Sequence, residues 1–504
     1  MYSNKENVNI LTALLAGYGI RHVVVCPGSR NAPIVHNLNE VDGITCYPVT
    51  DERSAAFVAM GISQQTGEVA AVCVTSGSAL LNVLPGAAEA TYQKQGILVI
   101  SADRPAAWIG QLDGQTMPQE GALGSFVAKS VSLPECNDDV ERWHCRRLVC
   151  EAVNTLLATK KSVHINVPIT EPLFDFTIDA LPQVKCIRRI TASEFSNLFQ
   201  ASHRPMIVCG QGECEDVKAE GVVVIAEQLS TDYPVKSLDI LFSLMDDAEA
   251  YKPDLLVYRG RTTISKRLRQ FLRTLGDCTI VMHNPDGEIE DITCHADYVM
   301  TDPLPEMKRE VSEFTRRWDA LIALTAEQFD NAPEDLCAVA VKEFEALMQK
   351  GDVVYYANSS AVRIGAKYAD HFVRCNRGLN GIEGSMSTAV GASLVTDGNV
   401  YCVIGDLSFF YDQNALWNQH LRGNLRILLL NNGGGAIFRS LPGLGQSPAC
   451  QEYVMASHKT TAVGACHQYG ISRRMVSKAE DVPSLVEWLV NTKSNQPLLL
   501  EVLI

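Results

Sequence analysis

No apolar run in this 504-residue chain approaches the roughly 20 residues needed to cross a bilayer. The opening residues, MYSNKENVNI, lack the basic-then-apolar order of a secretion signal, so a cytoplasmic protein is expected. CxxC spacing is absent. The 16 cysteines are scattered, with Cys145/Cys150 and Cys209/Cys214 the closest pairs, which favours reduced core thiols over a disulfide frame or a zinc site. Positive charge is scarce: 43 Lys and Arg face 58 Asp and Glu, a net −15. With no basic run or zinc-finger spacing, nucleic acid is not an expected partner. An anionic ligand would have to be met by cations gathered locally against the field of the chain.

What is present is ordinary for a globular protein: 46% hydrophobic and 20% charged residues, enough for large cores and for about two to four domains. The most informative stretch runs from Tyr401 to Leu441. An apolar run, Tyr401 to Ile404, precedes Gly405 and Asp406. A segment of helical length follows, Ser408 to Leu421. A second apolar run, Leu425 to Leu430, ends in Asn431, Asn432 and three glycines. Two strand patterns around a helix read as one βαβ unit with parallel strands. Asp406 and Asn432 then lie just past the carboxyl ends of two strands in one sheet, where open α/β sheets bind ligands. An acid and an amide beside glycines suit Mg²⁺ shared with phosphate oxygens. The same spacing also fits a polar turn followed by a glycine loop.

The first 181 residues alternate strand and helix. Strands are expected at Val23 to Cys26, Ile44 to Val49, Val69 to Val74 and Ile97 to Ile100. Helices are expected at Val8 to Tyr18, from Asp51 to Gln65, and from Ala79 to Gln93 with a break at Pro85-Gly86. This alternation predicts a parallel sheet, with the polar clusters PGSRN, DERS, TSGS and SADRP on one rim. By itself Glu52 reads as an acid complementing a helix macrodipole. Arg30 and Arg104 read as strand-end arginines, whose planar forks suit a carboxylate better than a lysine would. Residues 182–330 hold another strand-and-helix layer. There Gly210-Gln211-Gly212 is followed by Glu213 and by Glu215 where a third glycine belongs, so the dinucleotide fingerprint is broken. Lys266 and Arg267 open a helix after a strand, in contact with solvent or with a ligand. His283, Cys294 and His295 lack metal spacing. Residues 331–504 form the last α/β segment, from a helix at Glu334 to Gln349 to a closing strand at Leu498 to Leu503.

The GDLS sequence at Gly405 with NNGGGAIFRSLP at Asn431 resembles the cofactor loop of thiamine diphosphate (ThDP) enzymes. Leu407 stands where the general family has glycine. This variant, with PGSRN, SADRP, SKRL, NSSAVR and CNRGLNGIEG, is similar to the SEPHCHC synthase branch. Gly433 stands where that branch commonly has a third asparagine. The resemblance implies three doubly wound parallel-sheet domains: pyrimidine-binding 1–181, middle 182–330 and diphosphate-binding 331–504. It implies ThDP and Mg²⁺ (or Mn²⁺) as cofactors, with the metal on Asp406, Asn432 and Gly434. Ser78, Ile382, Leu407, Ser408, Ile437 and Phe438 would meet ThDP, with Ile382 holding it bent. Glu52 would bond the aminopyrimidine ring and act as the catalytic residue. Ser29, Arg30, Arg104, Gln115, Lys266, Arg267, Ser359, Arg363, Arg377 and Leu441 would meet the substrates. The implied reaction is decarboxylation of 2-oxoglutarate and 1,4-addition of the succinyl carbanion to isochorismate. A homo-oligomer is implied, with active sites shared between chains. Another ThDP-dependent decarboxylase or carboligase, such as an acetolactate synthase-like enzyme, stays open, as do a dinucleotide oxidoreductase and a non-catalytic homologue.

Overall fold

The computed structural model describes residues 1–212, 214, 217–329, 334–349, 351–441 and 443–504. The chain divides into two compact units. One comprises Met1–Thr191 with Asn284–Asp302, and the other Ala192–His283 with Pro303–Ile504. The expected boundary at 330/331 lies outside the described residues.

The first unit is built on six parallel strands in the order Thr45–Pro48, His22–Val25, Ala70–Val74, Leu98–Asp103, Val163–Pro168, Lys129–Ser132. Ala70–Val74 is buried throughout, as a central strand covered on both faces must be. Helix Glu6–Tyr18 packs on Asp139–Thr159 and Ala32–Glu40, while Glu52–Thr66 packs on Leu84–Tyr92. Helix Glu52–Thr66 starts at Asp51, whose carboxylate caps the Arg53 amide. It buries Ala55, Ala56, Ala59 and Ser63, one small-residue stripe at helical spacing. A Cβ on Gly86 would lie 2.5 Å from the Ala56 Cβ, which explains a glycine inside the facing helix. Strand order reverses between His22–Val25 and Ala70–Val74, the switch point where such sheets open a crevice. Arg188–Ile190 and Tyr298–Met300 also pair in parallel in this unit.

The second unit holds two large parallel arrays, beside a short parallel pairing of Ala219–Glu220 with Met307–Lys308. One runs Val223–Ala226, Pro205–Cys209, Leu255–Arg259, Thr279–His283. The other runs Val353–Tyr356, Val400–Gly405, Leu425–Asn431, Leu498–Leu503, Ser472–Val476. Arg426 enters the second core with its guanidinium on the carbonyls of Leu489 and Thr492.

Several sequence expectations need correction. The strand drawn to Ile100 continues to Asp103. Ser101 and Asp103 are therefore buried in the sheet, held by hydrogen bonds to Asn166. The break near Pro85 falls earlier: one helix ends at Asn82, and the next, Leu84–Tyr92, carries proline in its first turn, where its missing N–H costs nothing. The segment Ser408 to Leu421 is an α-helix only over Asp406–Asp412, then a tighter turn over Gln413–Trp417. The Asp412 carboxylate takes the Ser387 N–H and hydroxyl instead of continuing that helix. The 21-residue helix Asp139–Thr159 was not anticipated. Its polar face obscures the pattern, with Arg142, Arg146 and Arg147 all engaged in polar contacts.

None of the sixteen cysteines is in a disulfide, and most are buried. Among the described residues no group of three His, Cys, Asp or Glu gathers to hold a metal. None of their helices is long and apolar enough to cross a membrane.

A buried triad in the second unit ties helix Leu336–Leu347 to strand Val353–Tyr356. The Tyr356 hydroxyl donates to Glu345 at 2.5 Å, and His371 Nε2 meets the other carboxylate oxygen at 2.8 Å. His371 Nδ1 faces the Phe372 carbonyl at 3.1 Å, so both ring nitrogens meet acceptors. Burial alone lowers the imidazole pKa, but the hydrogen bond and charge of Glu345, with Asp370 adding, raise it overall. A raised histidine pKa gives stability that is complete below the unfolded value of about 6.5 and lost as pH climbs through the folded value. Thermal unfolding should therefore show a midpoint falling above pH 6.5. His371→Gln should flatten that slope, and an unchanged slope would remove the triad from the account.

Candidate active site

Strand pairing fixes the first feature. Val400–Gly405 runs parallel to Leu425–Asn431 with Gly405 opposite Leu430. Asp406 and Asn432 therefore leave the sheet at the same edge, as the βαβ reading requires. The Asp406 carboxylate is buried, with Oδ1 accepting the Leu407 amide at 2.6 Å and Oδ2 the Gly434 amide at 3.0 Å. The acid thus pins the glycine loop to its own strand end. Gly434 has φ +139°, and a Cβ there would lie 2.7 Å from the Met455 carbonyl. A side chain at this position is excluded by both conformation and space.

The two asparagines divide their work. Asn431 is buried and donates to Glu501 at 2.7 Å and to the Thr460 carbonyl at 2.9 Å. Asn432 instead lines a cavity of about 700 Å³ together with Asp406, Leu407, Ser408 and Gly434. Ile437, Phe438 and Ile382 also line it. Ile382 is 39% exposed, and its carbonyl accepts the Ser408 hydroxyl. Leu441 is not among the lining residues and is exposed.

Ser359 and Arg363 line the same cavity. Ser359 adopts φ +71° ahead of helix Ser360–Tyr368, and its carbonyl takes an Arg363 N–H at 2.9 Å. Arg377 lies behind the lining. It is buried, with Nη1 3.3 Å from Asn358 Oδ1 and Nη2 3.4 Å from the Thr263 carbonyl, and burial lowers its pKa. Lys266 and Arg267 are exposed in the first turn of helix Lys266–Leu272, whose Ser265 cap lines the cavity. Cations at a helix N-terminus oppose the macrodipole, so this placement is not one that helix stability favours.

Sequence reasoning missed Glu227. This fully buried acid accepts the amides of Ile264 at 2.6 Å and Ser265 at 2.8 Å, fixing the turn that launches the basic helix. Burial raises its pKa, against the pull of those two amides and of Arg377. Gly210 also has a local explanation: a Cβ there would lie 2.0 Å from the Arg261 carbonyl. That glycine admits a neighbouring loop, whereas Glu213 and Glu215 of the broken fingerprint lie outside the described residues.

In the first unit, Glu52 is half-buried in the first turn of its helix. Arg30 is buried, with Nη1 on the Ile169 carbonyl at 3.0 Å and Nη2 on Glu171 at 2.9 Å. Arg104 pairs with Asp113 and donates to the Ser76 hydroxyl at 3.1 Å. Ser29, Ser78 and Gln115 are exposed, Gln115 with φ +56°. The buried glutamine of that loop is Gln119, unremarked in the sequence. Its Oε1 takes the Gly77 amide at 2.6 Å, and its Nε2 faces Asn166 at 2.7 Å. Its position in an irregular loop, between Pro118 and Glu120, gave no signal of burial.

The donor set fits a divalent cation shared with a diphosphate. Asp406, Asn432 and the Gly434 backbone supply hard oxygens, one of them anionic, and phosphate oxygens are needed to complete the shell. Residues 6–123 match the family model described as thiamine pyrophosphate enzyme, N-terminal TPP binding domain. Residues 356–502 match thiamine pyrophosphate enzyme, C-terminal TPP binding domain. The sheets and the loop are those of a thiamine diphosphate enzyme. Among similar proteins, the 2-succinyl-5-enolpyruvyl-6-hydroxy-3-cyclohexene-1-carboxylate synthase of Bacteroides thetaiotaomicron is 41% identical, over 100% of this chain and 96% of its own. That of Bacteroides fragilis is 40% identical over the same shares. That of Desulfotalea psychrophila is 33% identical over 99% and 98%. The chain belongs to this synthase family, abbreviated SEPHCHC synthase.

Gly434→Ala tests the loop directly. It should weaken Mg²⁺-dependent ThDP binding at least tenfold by titration calorimetry. The left-handed strain should cost on the order of 1–3 kcal/mol in unfolding. Unchanged cofactor affinity would separate Gly434 from the metal loop.

Proposed function

We propose that the chain joins the succinyl unit of 2-oxoglutarate, with loss of CO₂, to isochorismate by 1,4-addition, giving SEPHCHC in menaquinone biosynthesis. The observation that carries this reading is one cavity lined both by the Asp406–Gly434 loop and by Ser359 and Arg363. ThDP, when bound, supplies the electron sink that lets a 2-oxo acid lose CO₂.

The chain's own residues hold and protonate. Asp406, Asn432 and Gly434 would hold Mg²⁺ (or Mn²⁺). Ser78, Leu407, Ser408, Ile437 and Phe438 would seat the cofactor, with Ile382 on the cavity wall keeping it bent. Glu52 would hold a proton for the aminopyrimidine ring. Arg363, Lys266 and Arg267 bind substrate carboxylates, with Ser29, Gln115, Ser359 and Leu441 completing the contacts. Arg377 positions the Asn358 and Thr263 segments behind Arg363 and adds positive potential. Arg30 and Arg104 exchange their present acids for substrate carboxylates. Glu171 is 72% exposed and Asp113 40% exposed, so each acid can swing into solvent and leave its arginine to another carboxylate.

The domains are 1–181, 182–330 and 331–504 in this reading, and the protein is cytoplasmic. It acts as a homo-oligomer in which one site takes Glu52 and Asp406 from different chains. In support, Phe57 and Val58 on the Glu52 helix are 39% and 40% exposed. Tyr411 and Trp417, shortly after Asp406, are 68% and 74% exposed. Apolar side chains of this size left open mark a surface that associates.

Purified protein with ThDP, Mg²⁺, 2-oxoglutarate and isochorismate should consume isochorismate only when every component is present. Product mass identifies SEPHCHC, whereas turnover of pyruvate instead would move the chain to acetolactate synthase-like chemistry. Glu52→Gln should bind ThDP yet lose roughly 10²- to 10⁴-fold in rate. Light scattering should give at least a dimer, and a fully active monomer would end the shared-site reading.

A further inference from the structure

His458 has no role in the site as built so far, yet it touches both halves of the loop. Its backbone N–H donates to the Gly433 carbonyl at 3.0 Å. Its side-chain Nδ1 accepts the Thr460 amide at 3.1 Å. A ring nitrogen that accepts carries no proton, so the proton of the neutral ring belongs to Nε2. That Nε2 is closed off from solvent, makes no hydrogen bond, and lies 3.6 Å from Asp406 Oδ2. The ring is fixed from a second direction by the edge of Phe410, with centroids 5.5 Å apart at 87°. Phe410 belongs to the helix that Asp406 opens. Nearby, the Met455 carbonyl accepts the Gly435 amide at 2.8 Å, so the segment from Met455 to Thr460 braces the whole glycine turn.

We propose that His458 is a positioning residue for the metal loop, aiming the Nε2–H at Asp406 and holding its carboxylate in place for the cation. The inference rests on reading Asp406 and Asn432 as metal ligands. The chemistry favours a neutral donor here. A lysine or arginine beside Asp406 would neutralise the one anionic group of the proposed metal set and compete with the metal. A neutral N–H orients the carboxylate and leaves its charge for the cation, which is the work of outer-sphere partners in metal sites. At 3.6 Å the contact is longer than a hydrogen bond. Thr460 and Phe410 already set the tautomer and the ring direction, so only a small closing shift brings the N–H onto the carboxylate.

Two substitutions separate positioning from simple support. His458→Gln keeps an N–H near the Nε2 position, whereas His458→Asn keeps a polar group only near Nδ1. Mg²⁺ affinity is measured with the full-length protein at saturating ThDP, by tryptophan fluorescence and by calorimetry. Thermal unfolding without metal serves as the control for the fold. His458→Asn should weaken Mg²⁺ by roughly 10- to 100-fold with its metal-free unfolding midpoint near wild type, and His458→Gln should recover most of that loss. High Mg²⁺ should restore turnover in His458→Asn. Equal Mg²⁺ affinity in His458→Asn and wild type would overturn the inference while leaving the metal site intact. A turnover defect that no Mg²⁺ concentration restores would also overturn it, because His458 would then act on the reacting groups. Wild-type protein that binds ThDP without any divalent cation would overturn the metal reading itself, and this inference with it.

Discussion

Everything at the site depends on one hydrogen bond, from the Gly434 amide to the Asp406 carboxylate. It links two loops that leave adjacent parallel strands, and it does so with the group that must also face the cavity. A buried carboxylate is costly unless its oxygens are satisfied. Here two backbone amides satisfy it in part. The same acid that would hold a cation therefore organises the backbone around that cation. The glycine follows from this geometry, because the turn that delivers the amide passes against the Met455 carbonyl and leaves no room for a side chain.

Behind the loop, polar groups that never reach the cavity do much of the ordering. Glu501 is fully buried and takes Asn431, the Ala462 amide and Arg473. That network anchors the last residue of the strand and leaves Asn432 free to face the cavity. Glu227 does the same for the turn at Ile264 and Ser265, and Gln119 for the turn at Gly77. In each case a buried side chain satisfies backbone amides that the sheet does not. Such networks specify one loop conformation because a partly satisfied arrangement would cost more than none.

This explains what could be read from the sequence and what could not. The apolar runs at Tyr401 and Leu425, with their glycines and polar ends, were legible because strand burial and turn chemistry write directly into composition. The last helix and strand, Val482–Asn491 and Leu498–Leu503, fall where the pattern puts them. Helix Asp139–Thr159 was not legible, since its charged face carries no periodic apolar signal and Arg146 finds its partners in distant segments. Asn431 and Asn432 look identical in sequence. Only the register that turns one toward Glu501 and the other toward the cavity tells them apart. Glu227 and Gln119 are ordinary polar residues whose importance lies in what the fold brings to them.

The balance of charge closes the argument. A chain with a net −15 repels the dianions its family consumes, so its cations must act at short range. Arg30 and Arg104 are held by acids of their own, Glu171 and Asp113. Such acids keep a guanidinium oriented, and a better-placed carboxylate would replace them without unpairing the arginine. Arg363 is held instead by the Ser359 carbonyl, which fixes its direction without neutralising it. Lys266 and Arg267 stand at a helix end that repels them. The cations are thus arranged at some cost to the free protein, which an anionic substrate would relieve.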